Sequence, residues 1–212
     1  MNIKIHLLNA NGQFDELGEV INTIFNDTIQ KIISVIPIDN VDVIISDYPR
    51  NIIPNYGLGG TAWTPYRAEL NIDPKFPNIK EQIKKKFPQT IAHELHHCLR
   101  MKNLGHTETL LDAIIQDGLA DQFGVEITGL GPEAWSIAVK GEKLQELLKK
   151  AEKEFGNHDY NHSKWFFSHN KGDIPHWTGY SIGYYLVGEY LKNHPEAKAS
   201  TLYAIKAEDF IK

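Results

Sequence analysis

FPQTIAHELHHCLRMKNLGHTETLLDAIIQDGLADQF, residues 87–123, decides how this chain is read. Two helices are legible in it, separated near Gly105. In the first, Ile91, Leu95 and Leu99 recur at helical spacing and form one apolar face. Pro88 suits a first helical turn and Gly105 lies past the end, so a helix over 88–102 is expected. The other face carries His93-Glu94-Leu95-His96-His97, an HExxH pattern. At about 100° per residue, His93 and His97 fall about 40° apart on that face. Their imidazoles can share one zinc ion, and Glu94 lies beside them to act as a general base toward water. The competing reading is a polar helix face with two satisfied histidines. His96 should point away from the pair. Cys98 falls on the core side and reads as a small hydrophobe.

A catalytic zinc takes three protein ligands and leaves a fourth position open. The glycine and third histidine that would extend the motif are absent, because Arg100 and Asn103 occupy those positions. Asp117 stands twenty positions after His97 (117 minus 97), inside a second helix expected over 108–127. Its neighbour Gly118 would let that helix approach another closely. Asp121 lies one turn on, placed to accept the outer N–H of a ligating histidine. His106, just past the first helix, is the rival ligand. A carboxylate on a facing helix fits better, so the expected metal set is His93, His97 and Asp117.

Upstream of this stretch the pattern is of strands. Ile3 to Leu8 alternates, Val41 to Ser46 reads as a buried strand, and short strands are expected at 61–64 and 68–73. A helix over Phe14 to Ile36 separates the first two and ends at Pro37. Downstream, helices are expected at 132–155, 178–193 and near 200–211, with another at 79–86 and an irregular segment at 156–177. Strands first and helices later argue α+β. The expected fold has a small mixed N-terminal sheet with a helix, then the helix of the HExxH, then a helical C-terminal half. A single domain over 1–212 is expected, with two lobes at 1–78 and 79–212 as the alternative division.

Composition bounds the function. The chain has 212 residues, 42% hydrophobic and 23% charged, which suits a globular protein. A net charge of −5 argues against a nucleic-acid binder, since phosphate contacts need clustered Lys and Arg. No apolar run approaches the length of a membrane helix, and the first residues lack a signal-peptide core, so a cytoplasmic protein is expected. One cysteine excludes an intrachain disulfide framework. Oligomeric state is not legible.

The HExxH with an acidic ligand on the next helix resembles the gluzincin and aspzincin arrangement of zincin-like metallopeptidases. More narrowly, the chain resembles a bacterial family of predicted zinc-dependent proteases. The residues that carry this are HELHH at 93–97, TLLDAIIQDGLADQF at 109–123 and PHWTGYSIGYYLV at 175–187, with GLGGTAWTP at 57–65 and AELNIDP at 68–74. The family pattern usually has Glu where this chain has Asp117, one methylene shorter. The resemblance implies a zincin-like fold, a Zn²⁺ cofactor and a peptide or protein substrate.

Two parts of a peptidase site remain to be found. Gly59-Gly60-Thr61-Ala62 is a candidate edge strand for an extended peptide, or else a plain Gly-rich turn. A donor to the developing oxyanion is expected from Tyr180, Tyr184 or His176, with Tyr180 favoured. His158 and His162 stand at i and i+4 but read as a solvated loop. The residues together predict zinc-dependent hydrolysis of a peptide bond, with Glu94 as the base. The alternatives are a zinc-containing binding or regulatory module and a hydrolase of a non-peptide amide.

Overall fold

In Ile3–Leu7 every second residue is apolar, and the structure pairs this strand, β1, in parallel with β2, Val41–Ser46. The structure is a computed structural model and describes residues 2–168 and 172–212. The chain forms two compact units, Met1–Lys102 and Asn103–Lys212.

In the first unit, α1 (Gly18–Ile33) links β1 to β2 and buries Ile21, Phe25, Ile29 and Ile32. The helix is shorter than the expected 14–36. Asn9 accepts the backbone N–H of Phe14 at 2.7 Å, so Phe14 is buried in a turn rather than a helix. At the other end Pro37 biases Ile36 away from helical φ/ψ. The sheet is completed by β3 (Leu58–Thr64) and β4 (Arg67–Ile72), in the order β1-β2-β4-β3. β2 and β4 are parallel, whereas β3 returns antiparallel to β4 and forms the outer edge. β3 begins three residues earlier than expected. Gly59 and Gly60 therefore lie in a strand, not a turn.

α2 runs unbroken over Ile79–Leu104, where two helices were expected, with Pro88 inside it. Proline in a helix interior costs about 3 kcal/mol through a lost hydrogen bond and a clash with the carbonyl four residues back. Ile83, Phe87, Ile91 and Leu95 are fully buried on either side of Pro88. At roughly 1.5–3 kcal/mol each, that burial outweighs the proline. α2 passes β3 at Gly60 and β4 at Arg67, whose backbone hydrogen bonds Cys98. From Glu94 to Met101 every residue is buried, so the open polar face expected of this helix does not exist.

The second unit centres on α3 (Leu110–Thr128) and α6 (Thr178–Asn193). Thr109 and Asp112 form a reciprocal capping box at the start of α3, and Gly129 ends it in the left-handed region at φ 68°. α4 (Gly141–Ala151) buries Leu144, Leu147, Leu148 and Ala151. The helix expected over 132–155 is thus reduced to its middle. Residues before it spend their polar groups on tertiary partners: Trp135 Nε1 and Ser136 Oγ donate to Asp121, and Val139 N donates to Ser181 Oγ. The irregular segment contains a short helix, α5 (His162–Phe166), and its residues 169–171 lie outside the described residues. The C-terminal helix is instead two 3₁₀ turns, Ala199–Thr201 and Ala207–Ile211. The architecture is mixed α and β, with the sheet at the N-terminus and helices in the C-terminal half. No helix among the described residues is long and apolar enough to cross a membrane.

α3 and α6 touch backbone to backbone. A Cβ on Gly118 would lie 2.2 Å from the carbonyl oxygen of Gly183, and one on Gly183 would lie 2.1 Å from that of Ile114. On helix propensity alone, Gly118→Ala would stabilise by about 1 kcal/mol. The clash should reverse that sign, with a net loss near 3 kcal/mol, the upper end of overpacking costs. Gly156→Ala, where nothing lies within 4 Å, should stay within about 0.5 kcal/mol of the parent. Urea unfolding of the two variants checks the contrast.

Candidate metal centre

His93 and His97 are one helical turn apart on α2, and their rings meet edge to face with centroids 4.4 Å apart. One ligand atom from each, and one carboxylate oxygen of Asp117 on α3, all lie within 4.8 Å of one another. The cluster is buried, with part of the surfaces of His93 and Asp117 still reaching solvent. Among the described residues it is the one group of this kind. His106 lies in the exposed turn after α2 and is not in it.

The donor set fits zinc. Two imidazoles and one carboxylate form a mixed N/O set with a position to spare, as in catalytic rather than structural zinc sites. Tetrahedral zinc with bonds of about 2.0–2.2 Å needs ligand atoms about 3.3–3.5 Å apart, which a small rotation within a 4.8 Å cluster supplies.

Glu94 is 6% exposed. The room for its carboxylate comes from β3. A Cβ on Gly60 would lie 2.6 Å from Glu94 Cγ and 2.7 Å from Oε1. Gly60 thus admits the acid by having no side chain, a role that spacing in the sequence does not reveal. Next on α2, Cys98 is fully buried. Burial first, and the Glu94 charge second, push its thiol up to about 12. It is a packing residue, as its position on the helix suggested.

The remaining expected residues sit in the second unit. Asp121 is buried and accepts hydrogen bonds from Trp135 and Ser136. Tyr180, in the first turn of α6, meets the rings of Trp135, Phe166 and Phe167. Burial, then the Asp121 charge, raises the pKa of Tyr184. His176 Nδ1 lies 2.8 Å from the Ser168 carbonyl oxygen. A carbonyl only accepts, so Nδ1 donates this bond. Trp177, between them, holds a left-handed φ of 64°, a strained state for a bulky residue. His162, read with His158 as part of a solvated loop, is exposed and lies at the start of α5, stacked on Phe166.

A family model described as "Predicted Zn-dependent protease (DUF2268)" matches residues 21–212. The chain belongs to this family. The match takes in all of β2 to α6 and both terminal 3₁₀ turns, hence every residue of the cluster. Family membership thus agrees with the zinc and protease readings at the level of its description. No curated protein and no solved structure matches the chain.

Zinc titration of ligand variants tests the cluster. Asp117→Ala should weaken zinc binding by at least about 100-fold, because it removes one of three donors, whereas His106→Ala should leave it unchanged. The reverse order would move the third ligand to His106.

Proposed function

We propose that the chain hydrolyses peptide bonds with a zinc ion held by His93, His97 and Asp117. The observation that carries this reading is the convergence of those three donors, with Glu94 next to His93 on the same helix. When bound, zinc supplies a Lewis acid that draws electron density from the scissile carbonyl and from water. Glu94 takes the proton of the attacking water and passes it to the leaving amine. A structural zinc site would need no such acid, and it would close with a fourth Cys or His. Tyr180 is the proposed donor to the oxygen of the tetrahedral intermediate. It stands three residues before Gly183, where α6 meets α3 next to Asp117. Its phenol O–H can donate, while the Nδ1 of His176 is already engaged by the Ser168 carbonyl.

β3 is the proposed substrate strand. Gly57 O bonds Asp73 N on the β4 side, and Leu58 O bonds Ile53 N on the other. By alternation the backbones of Gly60 and Ala62 face the outer edge. An extended peptide can add there as a further strand, next to the glycine that faces Glu94.

Two variants separate binding from chemistry. Glu94→Gln should keep one zinc per chain by elemental analysis and lose hydrolysis of a quenched peptide library by at least about 100-fold. Near-normal turnover would remove Glu94 as the base. Gly60→Ala should also keep zinc, but it re-aims the carboxylate, and kcat should fall by roughly 10–100-fold.

A further inference from the structure

We infer that Trp63 forms a subsite for a bulky apolar side chain of the substrate, three residues from the bond that is cut. This rests on the peptidase reading, with β3 as the substrate strand. Trp63 is 43% exposed, and it stands on the outermost strand of the sheet. Gly60 turns toward Glu94 on α2. Trp63 lies three positions on, so strand alternation sends its side chain to the opposite face of the sheet. Glu69, which pairs with Thr61, lies on that face too, and it accepts the Trp63 Nε1–H at 3.1 Å.

The indole is held by its neighbours. The Glu69 oxygen that accepts its N–H lies 3.5 Å from Arg67 Nη2, and Arg67 Cζ lies 6.0 Å from the indole centroid. The other Glu69 oxygen accepts Ser46 Oγ at 3.2 Å. Trp63 thus has its one polar atom bonded within the sheet, and the area it offers to solvent is apolar. The register of β3 against β4 shifts between Ala62 and Thr64, an irregularity of the kind that re-aims side chains at sheet edges.

A peptide added at the backbones of Gly60 and Ala62 brings one residue directly beside Trp63. Facing residues on adjacent strands have Cβ atoms about 4.5–5.5 Å apart, close enough for side chains to pack. At about 3.3 Å per residue, that residue stands roughly 10 Å along the strand from the point that faces Glu94. An aromatic or branched aliphatic side chain there covers the indole, whereas Gly or Ala leaves it wet. Arg67 and Glu69 already pair with each other, so the surroundings favour neither sign of charge on the peptide.

The cleavage profile of the zinc-loaded full chain on a quenched peptide library tests this subsite. Three positions from the cut, on one side of it, the parent should prefer Phe, Tyr, Leu or Ile over Ala by roughly 10-fold in kcat/KM. Trp63→Thr keeps a strand-forming residue and removes the ring, so that preference should disappear. Trp63→Phe should retain most of it. Tyr66→Ala removes another exposed ring, in the turn between β3 and β4, and should leave the profile as it is. Apart from activity, the zinc-loaded Glu94→Gln variant should bind a fluorescent peptide with Phe at that position roughly 10-fold more tightly than its Ala counterpart. Adding Trp63→Thr to that variant should remove the difference. A parent that cleaves with no apolar preference there, or a Trp63→Thr variant that keeps the preference, overturns the inference and leaves the peptidase reading standing. A parent that dimerises through this edge, with the dimer lost in Trp63→Thr and the profile unchanged, also overturns it. A zinc-loaded parent that cleaves no peptide in the library overturns both the peptidase reading and the role given to Trp63.

Discussion

Where α3 passes α6, backbone meets backbone, and no side chain of any size fits between Gly118 and Gly183. That steric constraint fixes the helix that carries Asp117 one residue from the point of contact. It also sets Tyr180, which lies one turn earlier on α6, and it brings Gln122 Nε2 to the carbonyl of Tyr184 at 3.3 Å.

A second steric vacancy works the same way in the sheet-containing unit. Gly60 leaves the volume into which the Glu94 side chain projects. Burying an acid is costly unless partners compensate, and here the cost is tolerated at the site where family membership and ligand geometry agree. Cys98, one turn along from Glu94, shows the direction of the field: the same burial and the same acid hold its thiol protonated. α2 is therefore amphipathic only in its first half, where Lys80, Glu81, Lys84 and Lys85 are exposed opposite Ile83 and Phe87. Its second half is buried over Glu94 to Met101, and its apolar residues on either side of Pro88 supply the burial that carries it through that proline.

Much of this was legible in the residues. The 3.6-residue period puts His93 and His97 one turn apart, as their ring contact shows, and Asp117 falls in one cluster with them. Strand β2 and helix α6 have the spans that pattern and flanking Pro or Gly suggest. The failures have physical causes. Pro88 was read as a helix start because local propensity is all a sequence shows, whereas the burial of Phe87 and Ile91 is tertiary. The segment before α4 has helical spacing, but Asp121 and Ser181 bind its polar groups elsewhere. The candidate edge strand at Gly59 to Ala62 lies within β3, though strand pairing with β4 carries it further toward the N-terminus than the span expected at 61–64. His162 is exposed, as a solvated segment implies, but it sits on a short helix and stacks on Phe166, which spacing does not reveal.

The central claim is the ligand set, and anomalous diffraction at the zinc edge from crystals of the zinc-loaded protein addresses it most directly. The account predicts one strong peak per chain, within about 2.2 Å of a ring nitrogen of His93, a ring nitrogen of His97 and a carboxylate oxygen of Asp117. A peak that engages His106 or Cys98 in place of Asp117, or one elsewhere in the chain, would contradict it.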